Sequence, residues 1–176
     1  SALTQSATDQ VTDSVVFTDA GGTTYLVFAH YDTNGSGYTY SSNGSSWTTD
    51  TTDAKFLTVW DERLWGISHV GQLWYATSIG TEVNDAVLPL PDGAITALFV
   101  ARNAAGIPII YAATTEGLFA HNADNARFEE TQMEFPTHPD NGKGSVRWRD
   151  SVYIPSGNGI YKYINGNNAA VITVVG

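Results

Sequence analysis

Eight polar side chains are placed to meet a ligand: Asp32, Asn34, His69, Asp92, Glu116, His138, Asp140 and Asn158. Each falls in or beside a short polar stretch between apolar runs, where loops carry function. Several chemistries are open to them. Glu116, Asp92 and Asp140 could cleave a glycosidic bond if two carboxyl groups stood roughly 5–10 Å apart. Asp32-Thr33-Asn34-Gly35-Ser36-Gly37 spaces oxygens like the start of a calcium loop, but the closing Glu is absent. A turn using Asp, Asn and Gly for backbone reasons accounts for it. Calcium is therefore the one ion with a foothold, and no cofactor is expected. His30 and His69 follow Tyr25 and Leu64 by five residues each. A metal centre needs three or four converging ligands. Only Thr114, Thr115 and Ser156 stand near the matching places further on, so structural histidines and no metal site are expected. The role expected for the eight residues is polar or metal-assisted contact with a glycan or a protein.

Composition closes other routes. Eighteen acidic residues face eight Lys and Arg, a net charge of −10. Such a surface repels phosphate backbones and anionic lipids, so nucleic acid is not expected as a partner. No run approaches the roughly 20 apolar residues of a membrane span, so no membrane insertion is expected. The start, SALTQSATDQ, lacks a signal peptide's basic and apolar regions, as a processed chain also would. With no cysteine there is no disulfide, thiolate metal site or Cys nucleophile. No Gly-rich phosphate loop, Ser nucleophile elbow or His-based triad stands out.

These groups need a scaffold, and the apolar pattern supplies one. No segment repeats apolar residues at helical spacing. Short runs of Val, Ile, Tyr, Phe, Trp and Thr recur instead, as in Tyr25–Ala29 or Ile109–Ala113, closed by Gly, Asn or Asp. A polar turn recurs at Asp19, Asp61, Asn103 and Asp150, at intervals of 42, 42 and 47 residues. A glycine opens an aromatic run at Gly37, Gly71, Gly117 and Gly159. Two marks in phase predict four units of four antiparallel strands, A to D. The second unit reads as Lys55–Trp60, Leu64–His69, Leu73–Ser78 and Val83–Leu88. This is the pattern of an all-β propeller. A single domain over 1–176 is expected, with blades at about 11–53, 54–93, 94–140 and 141–176. Four blades of this size close tightly. The chain is therefore expected to be part of a larger propeller of six to eight blades, or half of one completed by another copy.

One turn carries a family likeness. Ser41-Ser42-Asn43-Gly44-Ser45-Ser46-Trp47 resembles a degenerate Asp-box, the C–D turn of sialidase-like β-propellers, with Asn43 in place of Asp and the spacing one residue short. The resemblance implies an amide-tied turn, a glycine at positive φ and a tryptophan packed between blades. It supports the fold and implies no catalysis. Sialidase chemistry would need an arginine triad, yet Arg63 and Arg102 fall beside A–B turns, away from the usual ligand face. The family's Arg-Ile-Pro signature is missing, and Gly106-Ile107-Pro108 does not replace it. Trp60, Trp65, Trp74 and Trp148 lie in predicted strands and are expected to pack in the core. The composition also resembles propeller segments of environmental and phage structural proteins. The function expected is a non-enzymatic scaffold or binding module, virion-associated or extracellular, whose partners are assembly subunits, a surface glycan or its own copies. The alternative is a glycan-cleaving enzyme.

Overall fold

The computed structural model describes residues 10–32, 35–88, 94–103, 105–149, 151–157, 159–164 and 171–172. Every regular element among them is a β-strand. The chain divides into two compact units, Ser1–Ala86 and Val87–Gly176.

In the first unit, β1 (Gln10–Thr18), β2 (Thr24–Asp32), β3 (Gly35–Ser41) and β4 (Thr48–Asp50) form an antiparallel sheet in chain order. Then β5 (Phe56–Trp60), β6 (Arg63–Ile67), β7 (Gln72–Ala76) and β8 (Val83–Val87) follow, again as sequential neighbours. Side chains alternate across each strand. Phe17, Val27, Ala29 and Tyr38 thus meet Leu57, Leu64, Trp74 and Ala76 in one core. Trp74 organises it. Its ring stacks on Tyr38 with centroids 5.7 Å apart, and its indole N–H donates to the Asp53 carbonyl at 2.8 Å. It lies so close over β6 that a Cβ at Gly66 would sit 2.1 Å from the ring. Only glycine fits under it.

In the second unit, β9 (Ile95–Arg102), β10 (Pro108–Thr114), β11 (Gly117–Asn122) and β12 (Arg127–Glu134) run antiparallel in order. So do β13 (Val146–Trp148), β14 (Ser151–Ser156), β15 (Gly159–Ile164) and β16 (Val171–Ile172). Tyr111, Ala113 and Leu118 share a core with Val152, Ile154 and Tyr163. The Tyr163 hydroxyl donates to that of Tyr111 at 3.1 Å. Val87, the first residue of this unit, forms one parallel bridge with Arg127.

The recurring polar turn proves to be two turn types. Asp19 Oδ1 accepts from the Thr23 amide and Asn103 Oδ1 from the Ile107 amide, both at 2.9 Å. Gly22 and Gly106 take φ 82° and 77° in these turns. Asp61 and Glu62 instead form a two-residue hairpin loop with φ 52° and 56°, both positive, as a type I′ turn requires.

Two tryptophans depart from expectation. Trp65 and Trp74 are buried, but Trp148 is 57% exposed, as are its β13 neighbours. Trp47 packs against Phe28 at 5.4 Å. Phe28 alternates with the core residues Val27 and Ala29, so this contact lies on the sheet's other face rather than in the shared core. The turn before it is tied by its own side-chain amide. Asn43 Oδ1 accepts from the amides of Ser45 and Ser46, both at 2.9 Å, and Gly44 has φ 72°.

Candidate functional site

In the first unit, the β6–β7 turn places His69. Ser68 ties this turn, its hydroxyl accepting from the Gln72 amide at 2.8 Å. The Asp53 carboxylate accepts from the His69 amide at 3.3 Å and from the imidazole Nδ1. A carboxylate on Nδ1 fixes the proton there and leaves Nε2 as an acceptor on neutral histidine. Asp53 is itself held through its carbonyl by Trp74. Tyr31, at the end of β2, is 40% exposed, and its ring centroid is 5.5 Å from that of His69. An open aromatic ring therefore stands beside an oriented imidazole. His30 is not equivalent to His69: it sits inside the longer β2, opposite Gly37, whereas His69 lies beyond the end of β6.

In the second unit, three turns converge on the side chain of Asn141. The Thr114 hydroxyl accepts from the amides of Glu116 and Gly117 at 3.1 and 2.9 Å, shaping the β10–β11 turn. Asn141 is fully buried. It donates to the carbonyls of Thr115 and Pro136 at 3.0 and 2.8 Å and accepts from the Gly157 amide. Gly142 presses on β10, where a Cβ would meet that of Ala113 at 2.4 Å, and its φ is 77°. The His138 amide donates to the Thr115 carbonyl at 2.9 Å, so the loop that carries His138 and Asp140 lies against the turn that carries the exposed Glu116. The Asp140 amide donates to His138 Nδ1 at 3.1 Å, so neutral His138 carries its proton on Nε2 and offers a donor outward. A side chain at Gly157 would strike the imidazole, at 2.7 Å. Lys143 Nζ lies 2.6 Å from Asp140 Oδ1. That hydrogen bond, with the charge behind it, holds the exposed Asp140 carboxyl below the usual carboxylate range.

Of the eight candidates, His69 stands in the first cluster, and Glu116, His138 and Asp140 in the second. Asn34, Asp92 and Asn158 lie outside the described residues, and Asp32 is described in its backbone alone, as the ladder partner of Gly35. Sequence reasoning missed Asp53, Tyr31, Asn141 and Lys143. Nothing local marks Asp53, which lies 16 residues from His69. Asn141 lies in the polar stretch 136–144, which the sequence marks only as a connection between units. A groove of about 840 Å³ also opens beside the β1–β2 and β5–β6 turns, lined by Asp19, Asp61, Glu62 and Arg63 among others.

No family model and no curated protein matches the chain. Solved structures do. The computationally designed Ika8 protein matches with a TM-score of 0.55 and 14% identity over 94% of this chain and 49% of its own. The computationally designed Ika4 protein matches with a TM-score of 0.56 and 13% identity over 93% and 96%. SapL1 lectin, solved with alpha methyl fucoside, matches with a TM-score of 0.53 and 14% identity over 90% and 63%. The chain thus spans about half the length of Ika8 and under two thirds of the lectin chain. At these identities the likeness defines an all-β, propeller-like fold. The Asp-box likeness finds no counterpart in these matches.

Proposed function

We propose that this chain is a non-enzymatic carbohydrate-binding module, built as four propeller blades. The carrying observation is the exposed ring of Tyr31 beside His69, whose imidazole Asp53 orients. Sugar rings offer apolar C–H faces and hydroxyls, so an aromatic face next to a fixed polar group suits them. The His138 donor and Asp140 acceptor extend the same chemistry to the second unit. The fold shared with a fucoside-bound lectin supports the choice of first ligand.

A glycosidase is less well supported. Asp140, one of its three carboxylates, is engaged by Lys143. Four of the five arginines a carboxylate-binding site could use are engaged locally: Arg63 over Tyr75, Arg102 on the Gly106 carbonyl, Arg127 with Glu129, and Arg149 over Trp148. No resident cofactor is proposed. The proposed setting is an extracellular or virion assembly, which composition alone supports.

Isothermal titration with methyl α-fucoside and a monosaccharide panel tests the proposal. Binding by the parent, lost in Tyr31→Ala and His69→Ala without loss of fold, is expected. No binding across the panel, or hydrolysis of a glycoside abolished by Glu116→Gln, would overturn it.

A further inference from the structure

Trp148 stands between two arginines in the sequence, with Tyr153 and Lys162 further on. Strand alternation sorts these side chains. Val152, Ile154 and Tyr163 lie in the core of the second unit. Tyr153 and Lys162 therefore point to the other face of the last sheet, directly opposite each other across β14 and β15. Val146 pairs with Tyr153 and Trp148 with Ser151, which puts Val146 and Trp148 on that face too. Arg147, opposite Val152, is turned away from it. Ring contacts bear this out. The Trp148 and Tyr153 rings are 6.2 Å apart, and the Arg149 guanidinium lies over the Trp148 ring at 4.6 Å.

Val146 and Trp148 are each 57% exposed. Exposed apolar side chains grouped in this way mark a contact surface. The backbone beside them is strained as well. Arg149 follows Trp148 in the loop to Ser151 with φ 56°, where Gly, Asn or Asp is favoured. A strained residue that lays a cation on an open ring points to function rather than to packing.

Charge and shape say what covers this face. Among the described residues between 146 and 164 there is no Asp or Glu. Arg149 and Lys162 thus make it cationic, in a chain of net −10. A guanidinium stacked on an indole is held flat, with N–H donors along its rim that grip a carboxylate by two parallel hydrogen bonds. The open part of the indole suits the apolar C–H face of a sugar ring. A peptide gains less here. β13 ends its sheet's strand order but has three residues, too few to template an added strand.

We propose that this face is a second carbohydrate site, selective for a saccharide that carries a carboxylate. Trp148 is its platform, and Arg149 and Lys162 are its anion contacts. It goes beyond the reading at Tyr31 and His69 and uses none of those residues.

Isothermal titration of the full chain with tetragalacturonate tests this, in about 0.15 M salt. There a charge is felt over about 8 Å, so the ligand meets this face rather than the net charge of the whole chain. Saturable binding is expected, with a blue shift of tryptophan emission as Trp148 is covered. The methyl-esterified oligomer should bind about tenfold more weakly or worse, the worth of a hydrogen bond to a charged group. Trp148→Ala and Arg149→Gln should each weaken binding by a similar factor. Both side chains are exposed, so melting temperatures should stay at the parent's. Absence of binding, equal binding of the ester, or affinity unmoved in both variants would overturn the proposal. So would binding that leaves tryptophan emission unchanged, or equal binding of hexaglutamate, which would make the face a protein contact. Methyl α-fucoside and Tyr31→Ala play no part in these readings, so failure of one site is told apart from failure of the other.

Discussion

The side-chain amide of Asn141 donates to the backbone carbonyl of Thr115 at 3.0 Å, from a position with no exposure to solvent. Through that bond the loop after β12 is fastened to the β10–β11 turn. Two half-buried carbonyls depend on the same amide.

Asn141→Ala should therefore destabilise the second unit by about 2–3 kcal/mol, the cost of leaving such groups unpaired. Asn141→Asp should cost more, because it sets a carboxylate against two carbonyls. Urea denaturation followed by far-ultraviolet circular dichroism reads both. Equal stability of parent and Asn141→Ala would show that the turns hold without this brace.

Gly66→Ala should destabilise the first unit by about 1–3 kcal/mol through overpacking against Trp74. Trp74→Phe removes the ring atoms the new methyl would meet. The double variant should then be more stable than the two single losses combined would give. Additive losses in thermal melts would place the strain elsewhere.

Asp13 gives a pH dependence of defined sign. Burial raises its carboxyl above the ordinary 3.8, although the amides of Leu57 and Ser14 pull the other way. The folded protein then holds this proton more tightly than the unfolded chain. Its contribution to stability is full below the ordinary value and is lost as pH rises through the folded value. Asp13→Asn should remove that acid-side dependence from a series of melting temperatures. A parallel profile in parent and variant would contradict the assignment.

Tyr38 and Tyr111 have phenols pushed far up, chiefly by burial, with Glu82 adding to it at Tyr38. The folded state therefore keeps these protons at pH values where the unfolded chain releases them, so stability falls as pH climbs past the ordinary tyrosine value. In an alkaline absorbance titration, Tyr38, Tyr111 and Tyr163, whose phenol burial also raises, should ionise later than the rest of the nine tyrosines. Smooth titration of all nine in the folded protein would exclude this.

Much of the fold was legible because strands announce themselves by period and turns by chemistry. Tyr25–Ala29 and Ile109–Ala113 fall inside β2 and β10, since β-branched and aromatic runs fit a half-buried pleat. The Asp19 and Asn103 turns were visible because an Asx side chain caps its own backbone a few residues on. The site was less legible, because its geometry is non-local. His69 was found as a polar residue in a turn, but Asp53, which orients it, lies before the neighbouring strand β5. Asn141 looked like a solvated loop residue, and only tertiary packing buries it. Trp148 was misplaced because β13 has three residues and exposes all of them. A strand pattern does not reveal which sheet face finds a partner.

The direct test of carbohydrate recognition is a nuclear magnetic resonance titration of the parent with methyl α-fucoside and the monosaccharide panel, watching the His69 imidazole and the Tyr31 ring. Carbohydrate recognition at this site predicts that a sugar shifts both sets of signals in a saturable way, while Trp74 in the core stays put. Unmoved His69 and Tyr31 signals throughout the panel, or shifts confined to other residues, would contradict it.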